Sequence, residues 1–420
     1  MANKYSVPRG TYDILPDISY KWQFVIDVFR TVAREFNYKE IITPIFERSD
    51  IFERSVGETS DIVEKEMYKF EDKKGRIFAL RPEGTAPVVR SFIENGLSLK
   101  PNSSKLYYLG PMFRYDRPQK GRYRQFYQYG IENIGSTNPY VDFEVIAFAY
   151  MFLSKLGLKN FELQINSIGC ENCTKDYDRA LKEYFTPFEN DLCSDCRRRL
   201  KKNPKRVLDC KVKSCKVITE DAPSMLDYLD EECSAHFDQV QEYLKQMDIP
   251  FIVNPKIVRG LDYYTQTAFE FIDTTLGAQN TLIGGGRYDK LAEQLGGKNL
   301  PGIGFAGGFE RLLLSMEEEK LSLGKPVNPK VYFIVLGDEA RATAFRLINN
   351  LRLSGISVEY NSDKTSMNAQ MKMANKTGAE FALILGEDEL NKGKIIKKNL
   401  ADGEQENIDL NDIVNSLKSK

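Results

Sequence analysis

The chain has 420 residues, and its 59 basic and 60 acidic side chains give a formal net charge of -1. This balance excludes a protein that holds nucleic acid by overall charge, so any such contact must use a local basic patch. Hydrophobic residues make up 42% of the chain, yet no apolar run approaches the ~18 residues of a membrane span. Without an apolar signal region near its N-terminus, the chain is expected to be a cytoplasmic protein of two or three folded domains.

The first two thirds of the chain predict an α+β fold, in which helices flank an antiparallel sheet. Apolar residues at helical spacing predict a helix over 20–36. Runs rich in aromatic and β-branched residues predict strands. In chain order these strands lie at 76–81, 105–115, 123–134, 161–166 and within 251–273, with further helices at about 140–156 and 307–319 and a glycine-rich turn before the last helix.

The strand pattern stops from about 169 to 248, where the chain is charged, bears cysteines and is helical in pattern, so this segment is predicted to be an insertion. In the last ninety-odd residues, three apolar strands alternate with two helical segments, which predicts a compact α/β module with parallel pairing. A linker with prolines and a glycine precedes this module. The predicted organisation is a main domain over 1–322 that includes the insertion, a linker over 323–329 and the α/β module over 330–420.

Seven cysteines without a secretion signal argue against a disulfide framework. Four of them form two C-x2-C pairs, a spacing typical of tetrahedral zinc sites, because each short knuckle offers two sulfurs to one ion. This pattern predicts a structural zinc site, with clustered free thiols as the alternative. The predicted ligands are Cys170, Cys173, Cys193 and Cys196, and the later Cys210 and Cys215 are possible competitors.

A basic stretch, RRRLKKNPKR at 197–206, carries seven cationic residues in ten positions. One interpretation is a solvated helix face that ends at the turn of Asn203 and Pro204. The other interpretation is a local patch for nucleic-acid phosphates.

A literal G-x-G-x-x-G occurs at 302–307, but the residues before it are not an apolar strand, so the dinucleotide-binding context fails. No G-x-x-x-x-G-K-[ST] loop is present. Arg311 follows the glycines near the start of a predicted helix. An arginine beside the amides of a helix N-terminus is well placed to hold a phosphate.

Two further segments carry polar residues in unusual places. In FRYDRPQKGRYRQFYQYGIE (113–132), Arg114 ends a strand, and Gln128 and Glu132 share one face of the next strand. Buried polar side chains need partners, so this face predicts a ligand, although a charged hairpin tip is the alternative. In LRPEGTAPVVR (80–90), Glu83 and Thr85 can accept hydrogen bonds from an ammonium group, or Thr85 can cap a helix.

The segment RGLDYYTQTAFE at 259–270 is predicted to be a strand. Period-2 alternation would place Asp262, Tyr264 and Gln266 on one face and Tyr263 on the other. Neither face is apolar, so the strand is expected to present a ligand-binding face, and alternation favours Tyr264 over Tyr263.

Together these motifs resemble those of one family. Pro44 in TPIFE is similar to the first signature of class II aminoacyl-tRNA synthetases, the 113–132 segment to the second, and GIGFAGGFERLL (302–313) to the third. RGLDYYTQTAFE and GGGRYD (284–289) look like the two signatures that separate histidyl-tRNA synthetases from their relatives. PRGTYDILP near the N-terminus and LRPEGTAPVVR fit the same family. The resemblance covers the whole chain and implies a class II catalytic domain, followed by an anticodon-binding module at the C-terminus.

The resemblance implies that histidine and ATP, with Mg²⁺, form histidyl-adenylate, and that the histidyl group then passes to the 3′ end of tRNA(His). It also implies a homodimer, because the first class II signature normally builds one. In this reading Arg114 and Arg259 hold the α-phosphate and Arg311 the outer phosphates, and these three are the catalytic residues. The implied residues are, for ATP, Arg114, Asp116, Arg122, Arg259 and Arg311; for histidine, Glu83, Thr85, Gln128, Glu132, Tyr263 and Tyr264; and for the tRNA acceptor end, Gln119 and Arg124.

Two alternatives stay open from the sequence alone. The catalytically silent paralogue that serves as regulatory subunit of ATP phosphoribosyltransferase shares the core fold, but is expected to lack the C-terminal module and the site arginines that this chain has. A non-enzymatic RNA-binding module on the same core would bind tRNA without forming an adenylate. The cysteine set is not a general feature of the family, so zinc is a hypothesis for this branch.

Overall fold

The computed structural model describes residues 5–57, 60, 62–100, 104–258, 263–277 and 280–418. The chain divides into two compact units, Met1–Gly324 and Lys325–Lys420. Among the described residues, no helix combines the length and the apolar character that crossing a membrane requires.

The strands, in chain order, are β1 (Lys39–Glu40), β2 (Phe46–Arg48), β3 (Lys69–Glu71), β4 (Ile77–Leu80), β5 (Lys105–Phe113), β6 (Gln125–Ile134), β7 (Phe161–Ser167), β8 (Ile252–Val253), β9 (Thr265–Asp273), β10 (Thr281–Arg287), β11 (Gly302–Gly308), β12 (Val331–Val335), β13 (Val358–Tyr360), β14 (Phe381–Leu385), β15 (Lys394–Asn399) and β16 (Gln405–Asp409). The helices are α1 (Pro16–Glu35), α2 (Ser49–Val56), α3 (Thr85–Glu94), α4 (Pro139–Lys155), α5 (Glu171–Phe185), α6 (Ser194–Lys202), α7 (Lys213–Thr219), α8 (Glu231–Gln246), α9 (Leu291–Gln294), α10 (Phe309–Glu318), α11 (Asp338–Leu353), α12 (Met367–Thr377), α13 (Glu387–Asn391) and α14 (Ile413–Lys418).

Eight strands of the first unit form one sheet in the order β1-β5-β6-β11-β10-β9-β7-β8. The pairing is antiparallel across the centre, and parallel only at the edges, where β1 meets β5 and β8 meets β7. The predicted α+β class, with an antiparallel sheet flanked by helices, is therefore confirmed. Strands β2, β4 and β3 form a separate small sheet.

Helices α1 and α4 cover one face of the large sheet. The ring of Phe29 lies 5.4 Å from that of Tyr129 on β6 and 5.0 Å from that of Phe152 on α4, and all three side chains are buried. Because side chains alternate along a strand, Gln128 and Glu132 must point to the opposite face. That opposite face carries the polar residues of the candidate site.

Two central strands, β10 and β11, were not predicted, because their sequences TLIGGGR and GIGFAGG suggested a glycine-rich turn. Glycine weakens a strand, but here neighbouring side chains leave no room for a Cβ atom. A Cβ at Gly304 would collide with the carboxylate of Glu132, and one at Gly307 with the ring of Tyr129. The glycines thus let large side chains from β6 cross the adjacent strand.

The segment between β7 and β8 holds helices α5 to α8, in agreement with the predicted helical insertion. Its buried side chains form a cluster of their own, and five of the twelve buried residues in this cluster are cysteines. The insertion therefore has a small core in which sulfur replaces much of the usual hydrocarbon.

The second unit is a five-stranded sheet in the order β13-β12-β14-β15-β16. As predicted, β12 pairs in parallel with both β13 and β14, and α11 and α12 connect them. The antiparallel strands β15 and β16 at one edge were not predicted. Their sequences, KIIKKN and QENID, are dominated by charged and amide residues, which give a weak strand signal.

Candidate active site

A cavity of about 360 Å³ opens on the polar face of the large sheet. Strands β6, β9, β10 and β11, the start of α10 and the loop between β5 and β6 all contribute to its wall. Most of the residues that the sequence singled out lie together here: Glu83, Thr85, Arg114, Asp116, Arg122, Gln128, Tyr263, Tyr264 and Arg311.

Three arginines converge on this cavity from different elements. The Nε atom of Arg114 donates to the carbonyl oxygen of Pro82 at 2.9 Å, and Nη1 of Arg311 donates to that of Thr281 at 3.2 Å. Burial lowers the pKa of Arg114 and of Arg311, and the positive charge of Arg122 contributes to the lowering in both. Like charges held together in this way favour the binding of a polyanion such as a triphosphate.

The loop between β5 and β6 presents Asp116 and Arg122 to the cavity as an ion pair. Gln119 is exposed at the tip and pairs through its backbone with Arg122. Arg124 is held inside the hairpin, with its guanidinium carbon 3.9 Å from the centre of the Tyr115 ring and its Nε donating to the oxygen of Asp116 at 3.2 Å. Neither Gln119 nor Arg124 belongs to the described lining of the cavity.

The segment around Glu83 shows which side chain caps α3. Glu83 caps α3, because its two carboxylate oxygens accept from the backbone amides of Thr85 at 2.7 Å and Ala86 at 2.9 Å. Thr85 instead donates its hydroxyl to Oε1 of Glu132 at 2.7 Å. Burial raises the pKa of Glu83, so its carboxylate gains from a nearby positive charge.

Glu132 lies fully buried behind the cavity wall rather than on it. Its second carboxylate oxygen accepts from the hydroxyl of Tyr288, while Thr85 joins it to the cavity. Burial raises the pKa of Glu132 to about 8. The carboxyl therefore keeps its proton to a higher pH than an ordinary glutamate does.

Gln128 offers a polar atom that the protein itself does not use. Its side chain is 8% exposed and lines the cavity. Within the part of the chain that the structure describes, its amide oxygen has no hydrogen-bond partner. Buried acceptors are nearly always paired in folded proteins, so this atom points to a ligand that donates a hydrogen bond.

The tyrosine pair at 263–264 does not follow the predicted alternation. Strand β9 begins only at Thr265, and Gln266 has a positive φ of 45°, so the strand is irregular at its start. Tyr263 and Tyr264 both line the cavity, with ring centres 4.7 Å apart. Alternation therefore cannot decide between them. The predicted catalytic and ATP-binding residue Arg259 lies outside the described residues, as does Asp262.

Sequence reasoning missed Glu310, which lies at the start of α10 and lines the cavity. Its Oε1 accepts from the backbone amide of Tyr127 and from the hydroxyl of Tyr12, each at 3.1 Å. Burial raises the pKa of Glu310 to about 7. Its place before Arg311 in the quoted glycine-rich motif was the available signal. Tyr12 likewise lies in PRGTYDILP, and it ties this N-terminal segment to the cavity wall.

The predicted zinc ligands do not come together as one set. The structure divides the chain's seven cysteines between two clusters, and in each cluster all ligand atoms lie within 4.8 Å of one another. The C-x2-C pairs belong to different clusters because each begins its own helix, α5 or α6. One cluster is Cys193, Cys196, Cys210 and Cys215, and the other is Cys170, Cys173, Asp230 and Cys233.

The basic stretch at 197–206 spans most of α6 and the turn after it. Several of its cations form ion pairs within the protein: Arg198 with Glu64 at 3.3 Å, Lys201 with Glu189 at 3.3 Å and Lys205 with Asp178 at 3.7 Å. Part of its charge is therefore neutralised within the fold.

Comparison with known proteins gives matches along almost the whole chain. The sequence model of the family described as histidyl-tRNA synthetase matches residues 10–172 and 200–312, and that of an anticodon binding domain matches 330–420. A histidine–tRNA ligase of Bacillus velezensis is 50% identical over 420 residues, covering 99% of each chain. One of Caldanaerobacter subterraneus is 48% identical over 412 residues, covering 98% of this chain and 99% of that protein.

A solved structure agrees with these sequence matches. The crystal structure of apo histidyl-tRNA synthetase from S. aureus has a TM-score of 0.85 and 42% identity, and the alignment covers 98% of this chain and 99% of that one. Fold, motifs and both family models point the same way, and this chain belongs to the histidyl-tRNA synthetase family.

Proposed function

We propose that the cavity activates histidine with ATP and then transfers the histidyl group to the 3′ end of tRNA(His), the reaction of a histidine–tRNA ligase. The observation that carries this proposal is the convergence of Arg114, Arg122 and Arg311 beside a buried polar pocket in a single cavity. An enzyme that joins an amino acid to a nucleotide needs these two features side by side.

In the first step a carboxylate oxygen of histidine attacks the α-phosphorus of ATP, and the bond to pyrophosphate breaks. Negative charge builds up on the phosphate oxygens during this step. Arg114 stabilises that charge at the α-phosphate, while Arg311 and Arg122 hold the outer phosphates. The ion pair with Asp116 fixes Arg122 in the loop, so its charge is oriented before ATP binds.

We assign Arg259 to the α-phosphate because it begins the family motif RGLDYYTQTAFE. There it supplies a second positive charge beside that of Arg114. ATP enters with Mg²⁺, which neutralises part of the phosphate charge. The carboxylate of Glu270 lies on the cavity wall and offers an oxygen of the kind that Mg²⁺ prefers.

Histidine is recognised at the other end of the cavity. The amide oxygen of Gln128 accepts from its ammonium group, and the raised pKa of Glu83 makes that carboxylate a favourable partner for the same positive charge. Thr85 lies between these groups and Glu132. Glu132, with Tyr264 and Tyr263, binds the imidazole ring, whose two nitrogens need polar partners that an apolar amino acid cannot use.

In the second step a hydroxyl of the terminal ribose of tRNA attacks the carbonyl carbon of the adenylate, and AMP leaves. We assign Gln119, at the exposed tip of its loop, to the acceptor end, and Arg124 holds this loop in shape. The basic stretch at 197–206 offers further contacts to acceptor-stem phosphates. The second unit binds the anticodon, in keeping with the domain model that it matches.

The chain is further proposed to work as a homodimer. Around Pro44 and the small sheet, several apolar side chains are exposed, which is unusual for a monomer surface. The partner is a second copy of the chain, and light scattering should give twice the chain mass. These exposed residues are Ile42, Ile45, Phe46, Phe70 and Ile77.

Pyrophosphate exchange into ATP, measured with each of the twenty amino acids in turn, tests the proposal. Exchange with histidine alone, followed by charging of tRNA(His), supports it. Absence of exchange with every amino acid, in protein that still binds tRNA, would favour the RNA-binding alternative instead.

A further inference from the structure

The helical insertion contains chemistry that the histidine–tRNA ligase reaction does not use. All seven cysteines of the chain lie in it or at its boundary, in the two clusters described above. The histidyl-tRNA synthetase model leaves residues 173–199 between its two matched stretches, so part of this segment lies outside what the family model describes.

The first cluster, called here the four-cysteine cluster, consists of Cys193, Cys196, Cys210 and Cys215. The Sγ atoms of Cys193 and Cys210 are 3.9 Å apart. A tetrahedral ion with ~2.3 Å bonds to sulfur separates its ligands by about 3.8 Å, whereas a disulfide requires about 2.05 Å. The backbone amide of Cys193 also donates to Sγ of Cys215 at 3.3 Å, a bond that stabilises a thiolate.

The second cluster, called here the mixed cluster, consists of Cys170, Cys173, Cys233 and Asp230. Sγ of Cys170 lies 3.6 Å from Sγ of Cys173 and 3.1 Å from Oδ2 of Asp230. The backbone amide of Asp230 donates to Sγ of Cys173 at 3.2 Å. Three sulfurs and one carboxylate oxygen form a donor set that suits a tetrahedral zinc ion.

The two clusters share a construction principle. Cys170, Cys193 and Asp230 each occupy the N-cap position of a helix, and a cysteine follows three residues later, in the first turn. The N-terminal end of a helix stabilises negative charge, so these positions favour thiolate and carboxylate ligands. Asp230 and Cys233 thus repeat the C-x2-C knuckle with one oxygen in place of a sulfur.

Each cluster is joined to a different wall of the active-site cavity. Asp209 and Lys211, the neighbours of Cys210 on either side, both line the cavity. Gly169, the neighbour of Cys170, accepts at its oxygen from the backbone amide of Gln266 at 2.9 Å, and the amide of Ile168 donates to the oxygen of Gln266 at 2.7 Å. Gln266 follows the tyrosine pair that we assign to histidine.

We propose that the insertion binds two tetrahedral zinc ions, one in each cluster, and that each ion positions one wall of the cavity. The ion in the four-cysteine cluster fixes Lys211 at the end that holds the phosphates of ATP. The ion in the mixed cluster fixes the start of β9, and with it the tyrosines at the histidine end. The metal assignment stands by itself, while the division of labour between the ions rests on the proposed function.

Metal content gives the first test. The full-length protein, purified with zinc and a reductant and then dialysed, should hold two zinc ions per chain. Cys196→Ser and Cys233→Ser should each hold one, whereas the matched neighbour control Ser234→Ala should hold two. Asp230→Ala should lose one ion, and Asp230→Cys, which restores a four-sulfur site, should hold two.

Cobalt replacement separates ligand binding from any failure to fold. Protein stripped by a chelator and titrated with Co²⁺ should show the visible bands of tetrahedral cobalt–thiolate until two equivalents are bound. Fewer than two bound ions in the wild-type chain, with all seven thiols still reactive toward a thiol reagent, would overturn the two-site assignment.

Kinetics of the pyrophosphate exchange test the positioning role. Cys196→Ser should raise KM for ATP by about tenfold, the loss of one charge-assisted contact, with a small change in KM for histidine. Cys233→Ser should do the reverse. Lys211→Met should raise KM for ATP while keeping two ions, and combining it with Cys196→Ser should add little, because both act through the same side chain.

The outcomes remain distinguishable. If both cysteine variants change the two KM values in parallel, the positioning claim is wrong, although the metal sites stand. If the wild-type chain holds two ions but shows no exchange with histidine, the proposed ligase function fails and the metal assignment survives.

Discussion

The two units of the chain bury polar groups to very different extents. In the second unit, among the described residues, no acidic or basic side chain is buried, and Gln370 is the one buried amide side chain. Its amide is satisfied on both sides, since Oε1 accepts from the amide of Val335 at 3.1 Å and Nε2 donates to the carbonyl of Val335 at 2.8 Å. In the first unit, by contrast, Glu83, Glu132 and Glu310 lie buried around one cavity, and burial raises the pKa of each.

This difference indicates that the buried carboxyls serve the site rather than the folding of the sheet. Burying a carboxyl costs free energy unless partners compensate it, and the described part of the second unit is a helix-covered sheet without a buried carboxyl. The buried carboxyls of the first unit therefore call for another explanation. Perturbed ionisable groups that meet in a cleft are typical of catalytic and binding sites.

The largest effect is expected from Arg114→Ala. Removing a charge that acts mainly in the transition state should lower the rate of histidine-dependent pyrophosphate exchange by about 10³-fold, with a smaller effect on KM for histidine. The matched control is Arg341→Ala in the second unit, where Arg341 pairs with Asp338 at 2.9 Å. Exchange does not require tRNA, so this control should stay within about twofold of wild type. If both variants lost the same fraction of the exchange rate, the active site could not be assigned to the first unit alone.

The second prediction uses the buried carboxyl of Glu132. Glu132→Gln should lower kcat/KM for histidine by about 10²-fold, because a buried polar partner of the imidazole is changed.

The same substitution should make the fold more stable than wild type by an amount that grows as the pH rises. The pKa of Glu132 is raised from 4.5 to about 8, so the wild-type chain loses stability through this window, in total on the order of 5 kcal/mol.

Chemical denaturation at pH 5 and at pH 9 measures this second effect. The difference in unfolding free energy between Glu132→Gln and wild type should grow in favour of the variant from the lower to the higher pH. Glu318→Gln, at an exposed position in the same unit, is the control and should show no such trend. Parallel pH profiles for Glu132→Gln and wild type would mean that the carboxyl is not perturbed by burial.

A third prediction concerns the glycine that makes room for this carboxyl. Gly304→Ala should destabilise the first unit by about 3 kcal/mol, because its Cβ would collide with Glu132 and with the backbone oxygen of Ile131. Gly277→Ala is the control, since a Cβ there meets nothing within 4 Å. A wild-type melting curve for Gly304→Ala would show that the sheet can move at this point, and that the glycine serves another purpose.

The sequence was sufficient to predict site residues that lie in short motifs of charged and polar side chains. Arg114, Gln128 and Glu132 could be placed because a strand repeats every two residues, and the structure puts the first two on the cavity wall and the third directly behind it. The α+β class and the parallel strands of the second unit followed from apolar runs between turns.

The sequence was insufficient where distant residues decide local structure. Strand β11 is rich in glycine because of side chains on β6, which no local propensity contains. Alternation failed at Tyr263 and Tyr264 because the strand begins after them and Gln266 departs from extended geometry. The cysteines were grouped wrongly because Asp230, which adds an oxygen atom to one of the two clusters and lies 57 residues beyond Cys173, carries no zinc signal by itself.

The smallest effect is expected from Gln370→Met in the second unit. The substitution keeps the side-chain volume but removes both hydrogen bonds to Val335. Because Val335 is only half-buried, water can replace these bonds, and the loss of stability should be about 1 kcal/mol. Pyrophosphate exchange should be unchanged, and Lys372→Met at an exposed position of the same helix should leave stability unchanged as well. A loss of exchange activity in Gln370→Met would show that the polar group of the second unit also serves the active site, and the contrast between the two units would then fail.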